Sequence, residues 1–170
     1  KRKILYTNLI ENLRYGENPH QLGAFYSQNK KNKLEQIHGK TLSYNNYNDI
    51  LAAITISKSL PKNIGTVIVK HGNPCGVSAL KNNLDSYQSA LESDPISAFG
   101  GIVSCNYKVS KKLAFMLNKI FLEVIVANGF DKKALKILKS KKNLRLIDSS
   151  KISFSEMWKF NSLDNFTLMQ

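Results

Sequence analysis

From about residue 50 to residue 147, two hydrophobic rhythms take turns along the chain. Ile50, Leu51, Ile54 and Leu60 fall on one helical face, with Asn48 or Asp49 as the N-cap and Pro61 as the stop. Thr66-Val67-Ile68-Val69 then reads as a strand, because β-branched apolar residues in a row suit burial on both faces. Residues 80–92 return to helical spacing through Leu84, Tyr87 and Leu91, and Asp94-Pro95 breaks that helix. Ile102–Cys105 is the next strand. Ser110 caps a helix carrying Leu113, Met116, Leu117 and Ile120. Glu123 opens the strand Val124–Ala127, Asn128-Gly129 turns the chain, and Asp131 caps a Lys-rich helix over 132–142 with Leu135 and Leu138 inward. Leu144–Ile147 is the last strand of the series. Helices alternating with short apolar strands predict an α/β layered domain with a largely parallel or mixed sheet.

The two ends are less regular. Residues 1–12 read as a lead-in or linker from a preceding domain, with Leu5, Tyr6, Leu9 and Ile10 enough for a short strand. Gly16 and Asn18-Pro19 make residues 13–21 a loop. Gly23–Tyr26 is extended, 29–33 is a polar hairpin-like loop, Leu34–His38 is a weak return strand, and Leu42–Asn46 is irregular. After Lys151 the chain carries Phe154, Met157, Trp158, Phe160, Phe166, Leu168 and Met169. Such an apolar load is expected to pack on the core, on another subunit or on the remainder of a larger unit.

Composition narrows the class. With 170 residues the chain holds one domain and one core. No apolar run is long enough to span a bilayer, and Lys1-Arg2-Lys3 leads into a polar stretch rather than a secretory core. Cys75 and Cys105 have no disulfide framework around them, so a reduced, cytoplasmic protein is expected. The formal charge of +13 is almost all lysine, with Arg2, Arg14 and Arg145 the only arginines. Aromatic residues do not interleave with it as they do on single-strand-binding surfaces. The charge therefore reads as a solvated surface. Neither nucleic acid nor membrane is an expected partner, and a basic nucleic-acid-binding domain rests on charge alone.

Candidate chemistry gathers in three loops. The buried strand runs into Lys70-His71, an acid/base pair, and then into a segment that Gly72, Pro74 and Gly76 keep from becoming a helix. In open α/β sheets ligands collect at the carboxyl ends of strands. The Arg14–Gln21 loop is dense in hydrogen-bonding side chains. The Asp94–Gly101 loop offers open backbone amides at Gly100 and Gly101, which suit an anion. Arg14 and Lys70 are the cations for a phosphate. Each loop also has a plain structural reading: a strand-end lysine with a buried stem, a histidine in a turn, a self-satisfied turn network. Zinc is not expected. The deaminase pattern needs H-x-E and then P-C-x-x-C, but Asn73 follows His71 where Glu is required and Ser78 stands where the second Cys is required. Cys75 as a nucleophile has only His71 for a base, and buried structural thiols are commoner.

Five ordered segments carry a family resemblance: Arg-Tyr-Gly-Glu-Asn-Pro-His-Gln (14–21), Leu-Ser-Tyr-Asn-Asn (42–46), Lys-His-Gly-Asn-Pro-Cys-Gly (70–76), Asp-Pro-Ile-Ser-Ala-Phe-Gly-Gly (94–101) and Glu-Val-Ile-Val-Ala (123–127). Together, from about residue 13 to the end, the chain resembles the first half of the transformylase domain of the bifunctional purine biosynthesis enzymes. That resemblance implies a cytidine-deaminase-like three-layer α/β/α sandwich, one of two similar halves of a transformylase unit. It implies formyl transfer from 10-formyltetrahydrofolate to the amine of phosphoribosylaminoimidazolecarboxamide (AICAR), without a metal. Lys70 and His71 match the catalytic pair, and Arg14 and Tyr15 the residues that hold the nucleotide. Gly100 matches a backbone contact, Glu123 a polar anchor where some members have Asp, and Phe99 a folate-proximal position. Nothing in the chain corresponds to the cyclohydrolase domain, so that activity is not expected here. The family's later Asn, Arg, Phe and folate loops also lack counterparts. A second half, and a homodimer in the complete protein, are therefore the implied partners. The chain is expected to be a fragment, a split subunit or a degenerate product that takes part in formyl transfer only within a larger or complemented assembly; the alternative is a catalytically incomplete fragment that binds the nucleotide.

Overall fold

A single strand, β4 (Gly65–Lys70), ties the molecule together. In the computed structural model, which describes residues 6–28, 34–152, 160–163 and 166–169, it lies next to one edge of a six-stranded sheet. Its Val67, Ile68 and Val69 are fully buried. Side chains alternate across a strand. Val67 and Val69 accordingly enter the core under helix α1 (Tyr44–Ser59), while Ile68 enters the core on the other face. Burying three such side chains contributes about 6 kcal/mol before entropy is subtracted.

The remaining strands are β3 (Glu35–His38), β5 (Asn73–Ala79), β6 (Ile102–Cys105), β7 (Val124–Ala127) and β8 (Arg145–Asp148). Their order is β3-β8-β7-β6-β4-β5. β6, β7 and β8 are mutually parallel; β4 runs antiparallel to both β5 and β6, and β3 antiparallel to β8. The sheet is thus mixed. Helix α1 covers one face. Helices α2 (Asn83–Ser93), α4 (Lys111–Leu117) and α5 (Lys132–Leu138) contribute to the core on the other, giving three layers. A separate hairpin of β1 (Asn8–Leu13) and β2 (Gly23–Ser27) leans on α1, where Phe25 stacks on Tyr47 at 4.2 Å. Among the described residues, no helix is long and apolar enough to cross a membrane.

Several elements differ from the sequence reading. Helix α1 begins at Tyr44, not near residue 50. Ser43 is its N-cap, and a reciprocal capping box with Asn46 satisfies the first amides. Leu51, assigned to the inward face, is half exposed. The segment after His71 is not a loop but edge strand β5, which tolerates Pro74 because an edge needs no donor on its outer side. Asp94 does not only break a helix: it caps the short helix α3 (Pro95–Ala98), accepting from the Ser97 amide at 2.9 Å. Asp131 makes no side-chain cap bond and pairs with Lys108 at 2.9 Å, and α5 stops at Leu138. β3 returns to β8 rather than to β2. In the tail, β9 (Phe160–Leu163) and β10 (Phe166–Met169) form a hairpin on which Phe166 and Leu168 are exposed, while Phe154, Met157 and Trp158 lie outside the described residues, as do Leu5 and the 29–33 loop.

At Gly76, helix α2 sits directly on β5. A methyl group there would lie 1.8 Å from the Ala90 carbonyl oxygen, which is backbone and cannot swing aside. Gly76→Ala is expected to cost about 3 kcal/mol, read as a lower urea midpoint at unchanged slope. A midpoint within error of the parent would refute this packing.

Candidate functional site

Four strand ends meet at one edge of the sheet. They are the carboxyl end of β4 at Lys70 and the amino ends of β6, β7 and β8, reached through Gly101, Glu123 and Arg145. Because β4 is antiparallel to β6, this edge is the amino edge of the three parallel strands, not their carboxyl edge. Three strand intervals separate Lys70 from Arg145, a span of about 14 Å.

At one end of this span, β4 and β5 are joined by only two residues, His71 and Gly72, closed by the Lys70–Asn73 pair. Both have positive φ, 52° and 74°, as a type I′ turn requires. Gly72 adopts this freely. His71 does not, and holding it there costs about 1 kcal/mol. The turn is clamped from outside: the Gly72 amide donates to Asp49 Oδ1 of α1 at 2.6 Å. His71 itself is exposed.

The alternation that buries Ile68 also sends Lys70 toward α3. Its Nζ donates to the Phe99 carbonyl at 2.8 Å, joining the Lys70 and Asp94–Gly101 segments. Hydrogen bonds from the Ser97 hydroxyl and amide hold the Asp94 carboxyl below the usual carboxylate range, with a smaller pull from the Lys70 charge. The Phe99 ring is 59% exposed and tilts against Phe121 at 5.4 Å. The Gly100 and Gly101 amides are not open as expected: they donate to Phe121 O at 2.8 Å and Ala98 O at 3.0 Å. Lys141, its pKa lowered by desolvation, braces the stretch before Phe121 through the Asn118 and Ile120 carbonyls at 2.6 and 2.7 Å.

At the middle and far end lies a polar junction in which Glu123, the expected polar anchor, meets two residues the sequence reading did not assign, Asn46 and Arg145. Glu123 Oε2 accepts from Asn46 Nδ2 at 2.8 Å and lies 3.8 Å from an Arg145 guanidinium nitrogen. Asn46 is 4% exposed, and its Oδ1 accepts the Ser43 amide within the capping box. Arg145 Nε also donates to Thr41 O at 3.1 Å. Beside this junction a recess of about 640 Å³ is lined by Arg14, Tyr15, Lys40, Ser43 and Arg145, with Glu11 the one acidic group among the described residues that line it. The Glu11 carboxylate accepts the Tyr47 hydroxyl at 2.9 Å. Arg14 thus keeps company with Lys40 and Arg145, and its guanidinium stands 5.8 Å from the Tyr15 ring centre. Lys70 belongs to the other end. The signals for Asn46 and Arg145 were a Ser-x-x-Asn start to α1 and an arginine opening a strand; neither reveals its distant partner.

Cys75 is the extra residue of a β-bulge, where Ile68 faces Gly76 and Val69 faces Pro74. Its Sγ lies 3.5 Å from Ile68 O, and burial pushes the thiol pKa up. Neither observation favours a thiolate nucleophile. Among the described residues, no group of three His, Cys, Asp or Glu side chains is placed to hold a metal.

The sequence model described as the AICARFT/IMPCHase bienzyme matches residues 2–170. Bifunctional purine biosynthesis protein PurH of Acetivibrio thermocellus is 46% identical over 149 residues, which is 85% of this chain and 29% of that protein. The PurH of Thermoanaerobacter sp. strain X514 is 50% identical over 141 residues, 81% of this chain and 28% of that protein. The chain therefore spans less than a third of the length of these curated relatives. Among solved structures, a cyanophage S-TIM5 dCMP deaminase aligns with a TM-score of 0.42 at 14% identity, covering 56% of this chain and 91% of that one. Acinetobacter baumannii RibD aligns at 0.43 and 18%, covering 58% and 34%.

Two outcomes follow from this geometry. Asn46→Ala removes both a cap partner and the buried donor to Glu123, and is expected to cost about 2 kcal/mol, measured by urea unfolding; a loss below about 0.5 kcal/mol would leave Asn46 without this role. With its raised pKa, Cys75 stays a neutral thiol at neutral pH. Its alkylation by iodoacetamide at pH 7.5 should be slower than that of free cysteine and should quicken as pH rises. Faster reaction than free cysteine at pH 7.5 would contradict the assignment.

Proposed function

This chain belongs to the AICARFT/IMPCHase bienzyme family, and from that premise we propose that it forms the first half of an AICAR transformylase unit, to which β1, starting at Asn8 rather than after residue 12, already belongs. The reaction is formyl transfer from 10-formyltetrahydrofolate to the AICAR amine, a step of purine biosynthesis. The observation that carries the reading is the strand-end line itself: an exposed His71 and a tethered Lys70 at one end, a cation-rich recess at the other, and Glu123 between them.

The residues divide the work along that line. Arg14 and Tyr15 take the nucleotide in the recess, where a phosphate gains from the planar donor fork of a guanidinium. Glu123, oriented by Asn46 and Arg145, anchors its polar groups. Gly100 contributes through its backbone, and since its amide is engaged by Phe121, the contact falls to its carbonyl. The AICAR amine is a poor nucleophile, its lone pair drawn into the imidazole ring and carboxamide. His71 takes the amine proton as nitrogen bonds to the formyl carbon. Lys70 steadies the negative charge that develops on the formyl oxygen, or supplies the proton with which folate N10 departs. The exposed ring of Phe99, backed by Phe121, is an aromatic ledge near Lys70 that fits a flat folate ring. The co-substrate supplies the formyl group, and no step needs a metal.

The complete site draws on a second half and on a homodimer, so the chain alone should bind AICAR without turning it over. The test is an assay with AICAR and 10-formyltetrahydrofolate, with and without the remaining transformylase segment of a relative supplied in trans. Activity is expected only on complementation, and Lys70→Ala or His71→Ala should lower it by about 10²–10⁴-fold. Full activity in both variants would remove their roles. Calorimetric AICAR binding with no turnover in any complemented mixture would leave a binding module.

A further inference from the structure

We propose that Asp49 is a positioning residue for His71, acting through the turn rather than on the substrate. This rests on the assignment of His71 as the base, but the contact that motivates it does not.

Asp49 is the sixth residue of α1, beyond the first turn in which a carboxylate benefits from the helix dipole. Aspartate is also a poor residue for a helix interior. Its place in the sequence therefore has no local helical explanation. The tertiary structure supplies one. Asp49 Oδ1 accepts the Gly72 amide at 2.6 Å, a short, charge-assisted bond across 23 residues. That amide belongs to the second central residue of the two-residue turn, where it projects outward. The first central residue, His71, is the one held at positive φ. The closing pair Lys70–Asn73 holds the turn from within the hairpin, and the Asn73 side chain donates to the His71 carbonyl at 3.0 Å; on the N–H side of that same peptide, Asp49 is the tertiary support. The aspartate thus fixes the backbone from which the imidazole projects.

Asp49 lies three residues after Asn46, on the same side of the helix. Asn46 holds Glu123 and Asp49 holds the His71–Gly72 turn. One rigid helix end therefore sets the separation between the nucleotide anchor and the base. A side chain that acts this way should influence the chemical step more than nucleotide affinity, because a displacement of about 1 Å at a reacting group costs as much as 10²-fold in rate.

The test uses Asp49→Ala and Asp49→Asn, the latter keeping an acceptor oxygen at the same reach. In the chain as it stands, amide hydrogen exchange of Gly72 should be slow in the parent, at least about tenfold faster in Asp49→Ala and nearly restored in Asp49→Asn. In the complemented enzyme, Asp49→Ala should lower kcat by about tenfold to a hundredfold with the AICAR dissociation constant unchanged, and Asp49→Asn should recover most of the loss. Gly72 exchange that ignores Asp49→Ala overturns the clamp. A loss confined to AICAR affinity, or full kcat in Asp49→Ala when His71→Ala is inactive, overturns the positioning role. If His71→Ala itself stays active, the catalytic reading fails while the exchange result still decides the clamp. Asp49→Asn guards against misfolding, since a folded variant that keeps the acceptor must retain slow exchange.

Discussion

The antiparallel placement of β4 is the constraint on which the structure depends. Hydrogen-bonded to β5 on one side and β6 on the other, it carries three fully buried apolar residues, Val67, Ile68 and Val69, that enter both cores. A slip of one residue would exchange those faces and send Lys70 to the opposite side of the sheet. The same register brings the end of β4 level with the starts of β6, β7 and β8. Burial thus decides where the polar residues stand: Lys70 sits over α3 because Ile68, two residues earlier, is sealed in the core on that face.

The amino end of α1 is the second organising element. Ser43 and Asn46 satisfy the helix's first amides, and Asn46 still has a donor to spend on Glu123. The Asn46 amide is buried and stable because both its oxygen and its nitrogen are paired; removing its partner leaves that buried amide unsatisfied, whereas the half-exposed Glu123 can turn to water. This explains why a helix rich in asparagine at its start, with poor intrinsic propensity, begins where it does. Tertiary partners outweigh the local preference.

This also separates what the chain shows on its face from what it hides. The apolar strands and the α4 start were legible because each is a local pattern: a β-branched run, or Ser110 three residues before Leu113. β5 was not, because Pro74 and Gly76 interrupt the alternation, and only its position at an edge, with a bulge at Cys75, makes it a strand. The start of α1 was misplaced because Tyr44, Asn45 and Asn46 look like a turn until the cap is seen. In the site, Lys70 and His71 stood out by following a buried strand. Asn46 and Asp49 act across 77 and 23 residues, and no local spacing encodes such distances. Arg145 was visible only as a rare arginine among lysines.

The occupied amides of Gly100 and Gly101 shift the chemical argument. An anion hole of backbone donors was one way to read the glycine pair. With both amides spent on closing the loop, the proposed formyl transfer leaves the negative charge that develops at this edge to side chains. Under that proposal the charge falls to Lys70, which the fold tethers beside the loop. Its bond to the Phe99 carbonyl uses one of three ammonium donors, so the tether orients the group while leaving it able to donate again. A carbonyl also holds it without neutralising its charge, as a carboxylate partner would. The glycines then matter less as ligands than as the means by which the chain turns tightly enough, from α3 into β6, to bring that carbonyl to the lysine.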